Sequence, residues 1–356
     1  PFNSNVDYNV LFTEKNGSDA ASQIRAFTDT WQWDQCAALS YKRTVEAGGR
    51  ISETLQSLHG LLGESDMMAY LSMMAPRLVE LRRVLKNTGA LYLHCDPTAS
   101  HYLKILLDGV FSPAGFRSEI IWKRTSGHYS AKRWGPAHDV LLFYTKTDRF
   151  RWNAVYQPYD EEYLGSFYRY EDEGGRYRIG DLTGAGVRTG NSGKPWRGCN
   201  PTKKNRHWAV PTKVLEIVKK QIPDRDIDEL NPQEKLDILD GLGLIHWPKK
   251  GSVPQYKRYL DTNKGVPVQD VITDIQPLGP FAAERLGYPT QKPSALLERI
   301  IRSSSSEGDV VLDPFCGCGT AIEVAESLKR TWIGIDITYL AIALIKNRLK
   351  GAFGDD

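Results

Sequence analysis

Apolar residues recur at three- and four-residue spacing through Met67, Tyr70, Leu71, Met74, Leu78, Leu81 and Leu85, the stripe of an amphipathic helix. Ser65-Asp66 can cap its start, and Asn87-Thr88-Gly89 stops it just past Lys86. Pro76 falls inside the stripe, where its missing N–H predicts a kink or a restart. Ala90-Leu91-Tyr92-Leu93-His94-Cys95 then reads as a buried strand, ended by Asp96-Pro97. Thr98 or Ser100 can cap a helix over roughly 99–110, and residues 119–122 and 139–144 form two more apolar strands. Strands alternating with helices indicate an α/β layered domain.

A second stretch of clean pattern closes the chain. It predicts a helix over 294–302, a serine-rich loop to Gly308, and a strand of the fully buried kind in Asp309-Val310-Val311-Leu312-Asp313. A tight loop over 314–319, a helix over 320–329, the strand Trp332-Ile333-Gly334-Ile335-Asp336 and a helix from about 339 to 350 follow. Strand, glycine turn, helix and a second strand ending in an acid make a nucleotide-binding βαβ unit. Between the two regions, from about 151 to 270, periodicity is weak and Gly, Tyr, Trp, Arg and Lys are frequent. No internal repeat or low-complexity tract is present.

The 356 residues suggest two or three structural units, and 41% hydrophobic with 10% aromatic residues is enough for a sizeable core. No apolar run approaches the roughly 18 residues of a membrane span. The five cysteines are scattered and no signal peptide is visible, which reads as a reducing, cytoplasmic setting. None of the four methionines begins the chain, which opens on Pro1-Phe2-Asn3-Ser4-Asn5.

Chemistry concentrates in Val311-Leu312-Asp313-Pro314-Phe315-Cys316-Gly317-Cys318-Gly319-Thr320. Glycines there let the backbone approach a ligand and expose N–H groups at a helix start. Asp313, at a strand end, can meet an ammonium. Asp336, at the end of the next strand, is placed for the hydroxyls of a ribose. A ligand with both groups fits S-adenosylmethionine. A dinucleotide-binding turn competes with this reading, weakened because the run is not G-x-G-x-x-G. Cys316-x-Cys318 lacks the second pair or nearby histidine that a zinc site needs, so no metal is expected.

Asp313-Pro314-Phe315-Cys316-Gly317-Cys318-Gly319-Thr320 resembles the cofactor motif of bacterial amino-group DNA methyltransferases, the N6-adenine and N4-cytosine enzymes. Tyr288-Pro289-Thr290-Gln291-Lys292-Pro293, followed by Leu296-Leu297 and Ile300-Ile301, resembles the segment preceding it in that family. The resemblance implies a Rossmann-like, S-adenosylmethionine-dependent sheet. Thr290, Gln291 and Lys292 would line the methionine end of the cofactor, with Lys292 near its carboxylate. Asp313, Phe315, Cys316, Gly317, Gly319, Thr320 and Asp336 complete the implied cofactor set.

The family's catalytic tetrapeptide is Asp/Asn/Ser-Pro-Pro-Tyr/Phe/Trp, and Pro1-Phe2-Asn3-Ser4-Asn5 resembles its last half and continuation. Pro1 and Phe2 are then the catalytic residues present, with Phe2 stacking on an extruded base. The first two letters, and the strand carrying them, would lie upstream. The Phe-Asn-Ser-Asn continuation resembles adenine enzymes. The motif order resembles the permuted β group, which implies that 1–150 (catalytic half) and 271–356 (cofactor half) form one sheet around an inserted target-recognition domain at 151–270. Residues 91–96, 119–124 and 138–144 resemble further strands of the family, and the second of these leads into a loop over the target base. His94 and Asp96 suggest an acid–base pair. An amine attacking a sulfonium methyl needs no strong base, so His94 is read as a packing or hydrogen-bonding residue.

The implied partner is double-stranded DNA. A net charge of +3 is weak support, but Lys194, Arg197, Lys203, Lys204 and Arg206 form a basic run without an acid, interleaved with Trp196 and His207-Trp208. Basic groups suit phosphates and aromatic rings suit bases, so this is expected to be a DNA-contacting loop. Lys123, Arg124 and His128 extend that set near the presumed active face, and Asp224, Asp226, Asp228 and Glu229 are expected to face away. The activity implied is methyl transfer to adenine N6 in a flipped base. N4-cytosine transfer, an RNA or protein substrate, and a catalytically dead DNA- and cofactor-binding fragment stay open. A homodimer and a cognate restriction endonuclease are the further partners the family suggests.

Overall fold

The computed structural model describes residues 31–125, 132, 134–248, 253–261, 265–288 and 290–354. The chain divides into two compact units, one of Pro1–Val155 with Pro267–Asp356 and one of Tyr156–Val266.

Among the described residues, the first elements of the first unit are helices α1 (Gln35–Glu46) and α2 (Gly49–Leu62), which no expectation from the apolar pattern covers. Helix α3 (Asp66–Val84) starts at its expected cap, with Ser65 Oγ accepting from the Met68 N–H. It runs through Pro76 without the expected restart. The carbonyl that Pro76 leaves without a donor belongs to Ser72, one turn back. Ser40 Oγ of α1 donates to that carbonyl at 2.7 Å. Ser40→Ala is therefore expected to cost about 1 kcal/mol, the price of an unmet buried acceptor, read as a lower urea midpoint at unchanged slope.

Strand β1 (Ala90–Cys95) leads into α4 (Pro97–Phe111). The cap of α4 is Asp96, not Thr98 or Ser100: its Oδ1 accepts from the N–H groups of Thr98 (2.8 Å) and Ala99 (3.3 Å), and Pro97 takes the first helical position. Strands β2 (Phe116–Lys123) and β3 (His138–Thr145) follow. The buried faces of α2, α3 and α4 pack on β1 and β3 through Leu55, Leu71, Leu78, Leu103, Leu107 and Leu142.

The second unit holds β4 (Tyr156–Gln157), α5 (Glu161–Phe167), β5 (Tyr170–Asp172), β6 (Gly175–Asp181), β7 (Thr183–Ala185) and β8 (Arg206–Trp208), then α6 (Thr212–Gln221), α7 (Pro232–Gly241), β9 (Ile245–His246) and β10 (Gln255–Tyr259), ending at β11 (Val266–Pro267). Its four-stranded sheet has the order β5-β6-β10-β9, beside the two-stranded pairs β4-β11 and β7-β8, and its core joins Trp196, Trp208, Val214, Val218, Leu236, Leu239 and Tyr256. Two of these, Trp196 from a loop and Trp208 from a three-residue strand, lie in segments too short to write a period into the sequence.

The first unit resumes with β12 (Val271–Ile272), α8 (Ser294–Ser304), β13 (Val310–Asp313), α9 (Thr320–Ser327), β14 (Thr331–Gly334) and α10 (Tyr339–Phe353). The re-entry is tied to the exit, because the Val268 N–H donates to the Val155 carbonyl at 3.1 Å. Strand β3 runs antiparallel to both β1 and β2, and β12 joins β2 in parallel, giving the order β1-β3-β2-β12. Strands β13 and β14 form a separate parallel pair. The single sheet expected from 1–150 and 271–356 is thus two pieces among the described residues. Strand β13 is correspondingly not fully buried, with Val310 50% exposed, since β14 is its one described neighbour. Side chains link the pieces: Tyr92 Oη lies 2.7 Å from Ser304 Oγ, and Asn153 Nδ2 donates to the carbonyls of Arg302 and Ser305.

Candidate cofactor and nucleic-acid site

Strand β13 delivers Asp313 at its carboxyl end, and β14, parallel beside it, leads to Asp336. The connecting loop is folded by its own backbone. The Phe315 N–H donates to Asp313 Oδ1 at 3.1 Å, and the Gly319 N–H to the Cys316 carbonyl at 2.7 Å. Gly319 takes a left-handed φ of 78° immediately before α9, and a Cβ there would lie 2.5 Å from Ile345 Cγ1, so only glycine fits. The Gly317 N–H donates to Asp336 Oδ2 at 2.9 Å, while Thr338 N–H and Oγ1 both donate to Oδ1 at 2.9 Å. Asp336 therefore anchors the loop and keeps its remaining acceptor capacity on Oδ2.

Burial pushes the half-buried Asp313 carboxyl above its ordinary range, and the nearby Asp336 adds to this. Burial also raises the Cys316 thiol to about 12 and the Cys318 thiol in the same direction, so both are inert packing groups. The Phe315 ring is 50% exposed. Thr320 is buried, its hydroxyl accepting from Arg348 Nη1 at 3.3 Å. No three His, Cys, Asp or Glu side chains are grouped to hold a metal ion among the described residues.

The segment before α8 behaves in two ways. The Gln291 side chain serves its own loop, with Oε1 accepting from the Leu286 N–H (2.8 Å) and Nε2 donating to the Glu284 carbonyl (2.5 Å). Lys292 is half-buried and its Nζ donates to the Thr290 carbonyl at 3.0 Å. Burial lowers its pKa; Asp139 opposes that and Arg124 adds to it. Lys292 thus lies within electrostatic reach of both Asp139 on β3 and Cys318 in the 314–319 loop.

His94 is a hydrogen-bonding residue, but its partner is not Asp96, which is spent on the α4 cap. His94 Nε2 lies 2.9 Å from Asp139 Oδ2. Burial lowers the imidazole pKa, so it is neutral at pH 7 and donates to the carboxylate. For Asp139 burial pulls upward, but the His94 hydrogen bond with the Arg124 and Lys292 charges outweighs it and keeps the acid ionised. Sequence reasoning passed over Asp139. The one signal available was an acid at the start of an apolar strand, paired across β1 and β3.

Pro1, Phe2 and His128 lie outside the described residues. Lys123 and Arg124 are exposed at the carboxyl end of β2. In the second unit, Lys194, Arg197, Lys203 and Lys204 are exposed, but Trp196 and Trp208 are not stacking platforms: they are 5% and 2% exposed and meet edge-on with centroids 6.0 Å apart. Their indole N–H groups donate to Asp237 Oδ1 and to the Lys194 carbonyl, each at 2.9 Å. Both rings are large enough to form the centre of a small core, and that is where the apolar burial is gained. Arg197 pairs with Asp240 and Asp237, and Arg206 turns inward onto Thr183 and Asp181. Part of the basic run is therefore neutralised by acids far away in sequence.

The DNA methylase family profile for N6 and N4 enzymes matches residues 56–347. The Type II methyltransferase M.EcaI of Enterobacter cloacae is 32% identical over 281 residues, covering 79% of this chain and 57% of that protein. The Mod subunit of the Type III restriction-modification enzyme StyLTI of Salmonella typhimurium is 27% identical over 287 residues, covering 77% of this chain and 40% of that protein. The chain thus spans about half the length of the curated relatives it matches. The solved M1.HpyAVI–SAM complex overlaps 78% of this chain and 82% of its own at 15% identity, with a TM-score of 0.38. With an acid-tipped strand pair around a glycine loop, and a family match across most of its length, the chain belongs to the N6/N4 DNA methylase family.

Proposed function

We propose that the protein transfers a methyl group from S-adenosylmethionine to the exocyclic N6 of adenine in duplex DNA. The observation that carries the reading is the pairing of Asp313 and Asp336 around the 314–319 loop in a chain of this family. Asp313 is a half-buried acid that burial disfavours in its charged form, and a ligand ammonium is the group that would restore its charge. Asp336 keeps acceptor capacity for a ribose hydroxyl, Phe315 offers an exposed ring, and Lys292 brings a cation for a carboxylate. This donor set fits S-adenosylmethionine.

When bound, the cofactor supplies an electrophilic methyl. The chain's own task is positioning: the cofactor loop orients one reactant, and the carboxyl edges of β1 and β2 receive the other. Holding the two in line is the larger part of such a rate enhancement. Exposed Lys123 and Arg124 of the first unit are read as phosphate contacts, and exposed Lys194, Lys203 and Lys204 of the second unit are read, separately, in the same way. The second unit is read as the target-recognition domain.

The deciding experiment incubates the full-length protein with labelled cofactor and duplex DNA, then digests to nucleosides. Label on N6-methyladenine is expected. Label on N4-methylcytosine alone overturns the adenine assignment, and unlabelled DNA overturns the activity.

A further inference from the structure

We infer that Asp139, held by His94, is a positioning residue that aims the Arg124 guanidinium at a backbone phosphate of bound DNA. The inference rests on the methyltransferase reading above. Asp139 is 5% exposed, yet it sits at the carboxyl edge of the sheet, between the ends of β1 and β2. His94 satisfies Oδ2, and its ring stands edge-on to Trp122 with centroids 5.9 Å apart. Trp122 is in turn fixed by its indole N–H, which donates to the Ile275 carbonyl at 2.9 Å. The carboxylate is thus locked in rotation from behind.

Its other oxygen, Oδ1, is buried without a hydrogen bond among the described residues, and its one ionic partner there is Arg124 Nε at 3.4 Å. A buried acceptor met at that distance pulls the guanidinium toward it. The Arg124 backbone is also pinned, its N–H donating to the Ala137 carbonyl at 2.8 Å, at the root of the segment joining β2 to β3. The Arg124 side chain remains 49% exposed while its Nε lies beside Asp139, which leaves the guanidinium room to meet a ligand.

Charge gives the ligand class. One carboxylate is shared by the Arg124 and Lys292 cations, and His94 is neutral. The group carries one net positive charge, which an anion completes. A cofactor carboxylate and a DNA phosphate both qualify. Lys292 is half-buried with its Nζ turned to Thr290, whereas Arg124 opens outward, so the phosphate is assigned to Arg124.

The test compares Arg124→Ala, Asp139→Asn, His94→Asn and the Arg124/Asp139 double variant of the full-length protein. Duplex binding is measured across a salt series, and cofactor affinity by calorimetry. Arg124→Ala is expected to weaken duplex binding about tenfold and to flatten the salt slope by about one unit, as for one lost phosphate contact. Asp139→Asn is expected to reproduce both changes, to add nothing in the double variant, and to leave cofactor affinity within about twofold, since positioning residues act through one group. An unchanged salt slope in Asp139→Asn, additive losses in the double variant, or a loss confined to cofactor affinity overturns the assignment. Should Asp139→Asn not fold, His94→Asn decides: its effect on duplex binding must vanish in the Arg124→Ala background. Wild-type protein that binds duplex but methylates no DNA sinks the methyltransferase reading and leaves the salt comparison intact.

Discussion

Asp313→Asn is expected to weaken S-adenosylmethionine binding by about 10²–10³-fold, the consequence of losing one partner of a buried charge pair worth roughly 3–5 kcal/mol. The same change is not expected to harm the free protein. The Asp313 carboxyl is pushed above its ordinary range by burial, so the folded state holds its proton more tightly than the unfolded chain. Such a group costs stability as pH rises from its unfolded pKa through its folded one. The neutral amide escapes that cost, so the free variant should unfold at the same or a higher temperature at pH 8, with the difference vanishing in acid. Calorimetric titration with the cofactor and thermal unfolding at two pH values separate the effects. A variant that keeps cofactor affinity removes Asp313 from the binding site.

Trp208→Ala should destabilise the protein by about 3–5 kcal/mol, the range for emptying a large aromatic site in a core. The indole is 2% exposed, packs edge-on to Trp196 and holds the Lys194 carbonyl. Had it been a base-stacking platform, its loss would spare stability and cost about 1–3 kcal/mol of binding. Lys203→Ala is the complementary change: the side chain is exposed, so stability should stay within about 0.5 kcal/mol. Denaturant unfolding of the two variants distinguishes core from contact surface.

The helix α3, the strand β1 and the whole run from α8 to α10 were readable from apolar spacing and bounding turn residues, because each is a regular element long enough to carry its own period. The restart allowed for at Pro76 does not occur, because the donor that rescues the Ser72 carbonyl sits on α1, beyond the reach of any local rule. The α4 cap was placed on Thr98 or Ser100 when it is Asp96, since each of these side chains can cap a helix and sequence shows only the type. The tight turn over 314–319 was legible through its glycines and flanking acids, whose spacing is local. The His94–Asp139 pair was not, because β1 and β3 meet only after the chain has folded. The basic run in the second unit looked uniform in sequence. In space it splits into exposed lysines and arginines tied to acids of other elements.

The bond from Val268 to Val155 means that the chain leaves and re-enters the first unit at adjacent points. To that scaffold the whole Tyr156–Val266 span behaves as a closed loop, and each doubling of such a loop adds only about 0.6 kcal/mol of closure entropy. Length and content of the insert can therefore drift or be exchanged wholesale over evolutionary time at little cost to the scaffold.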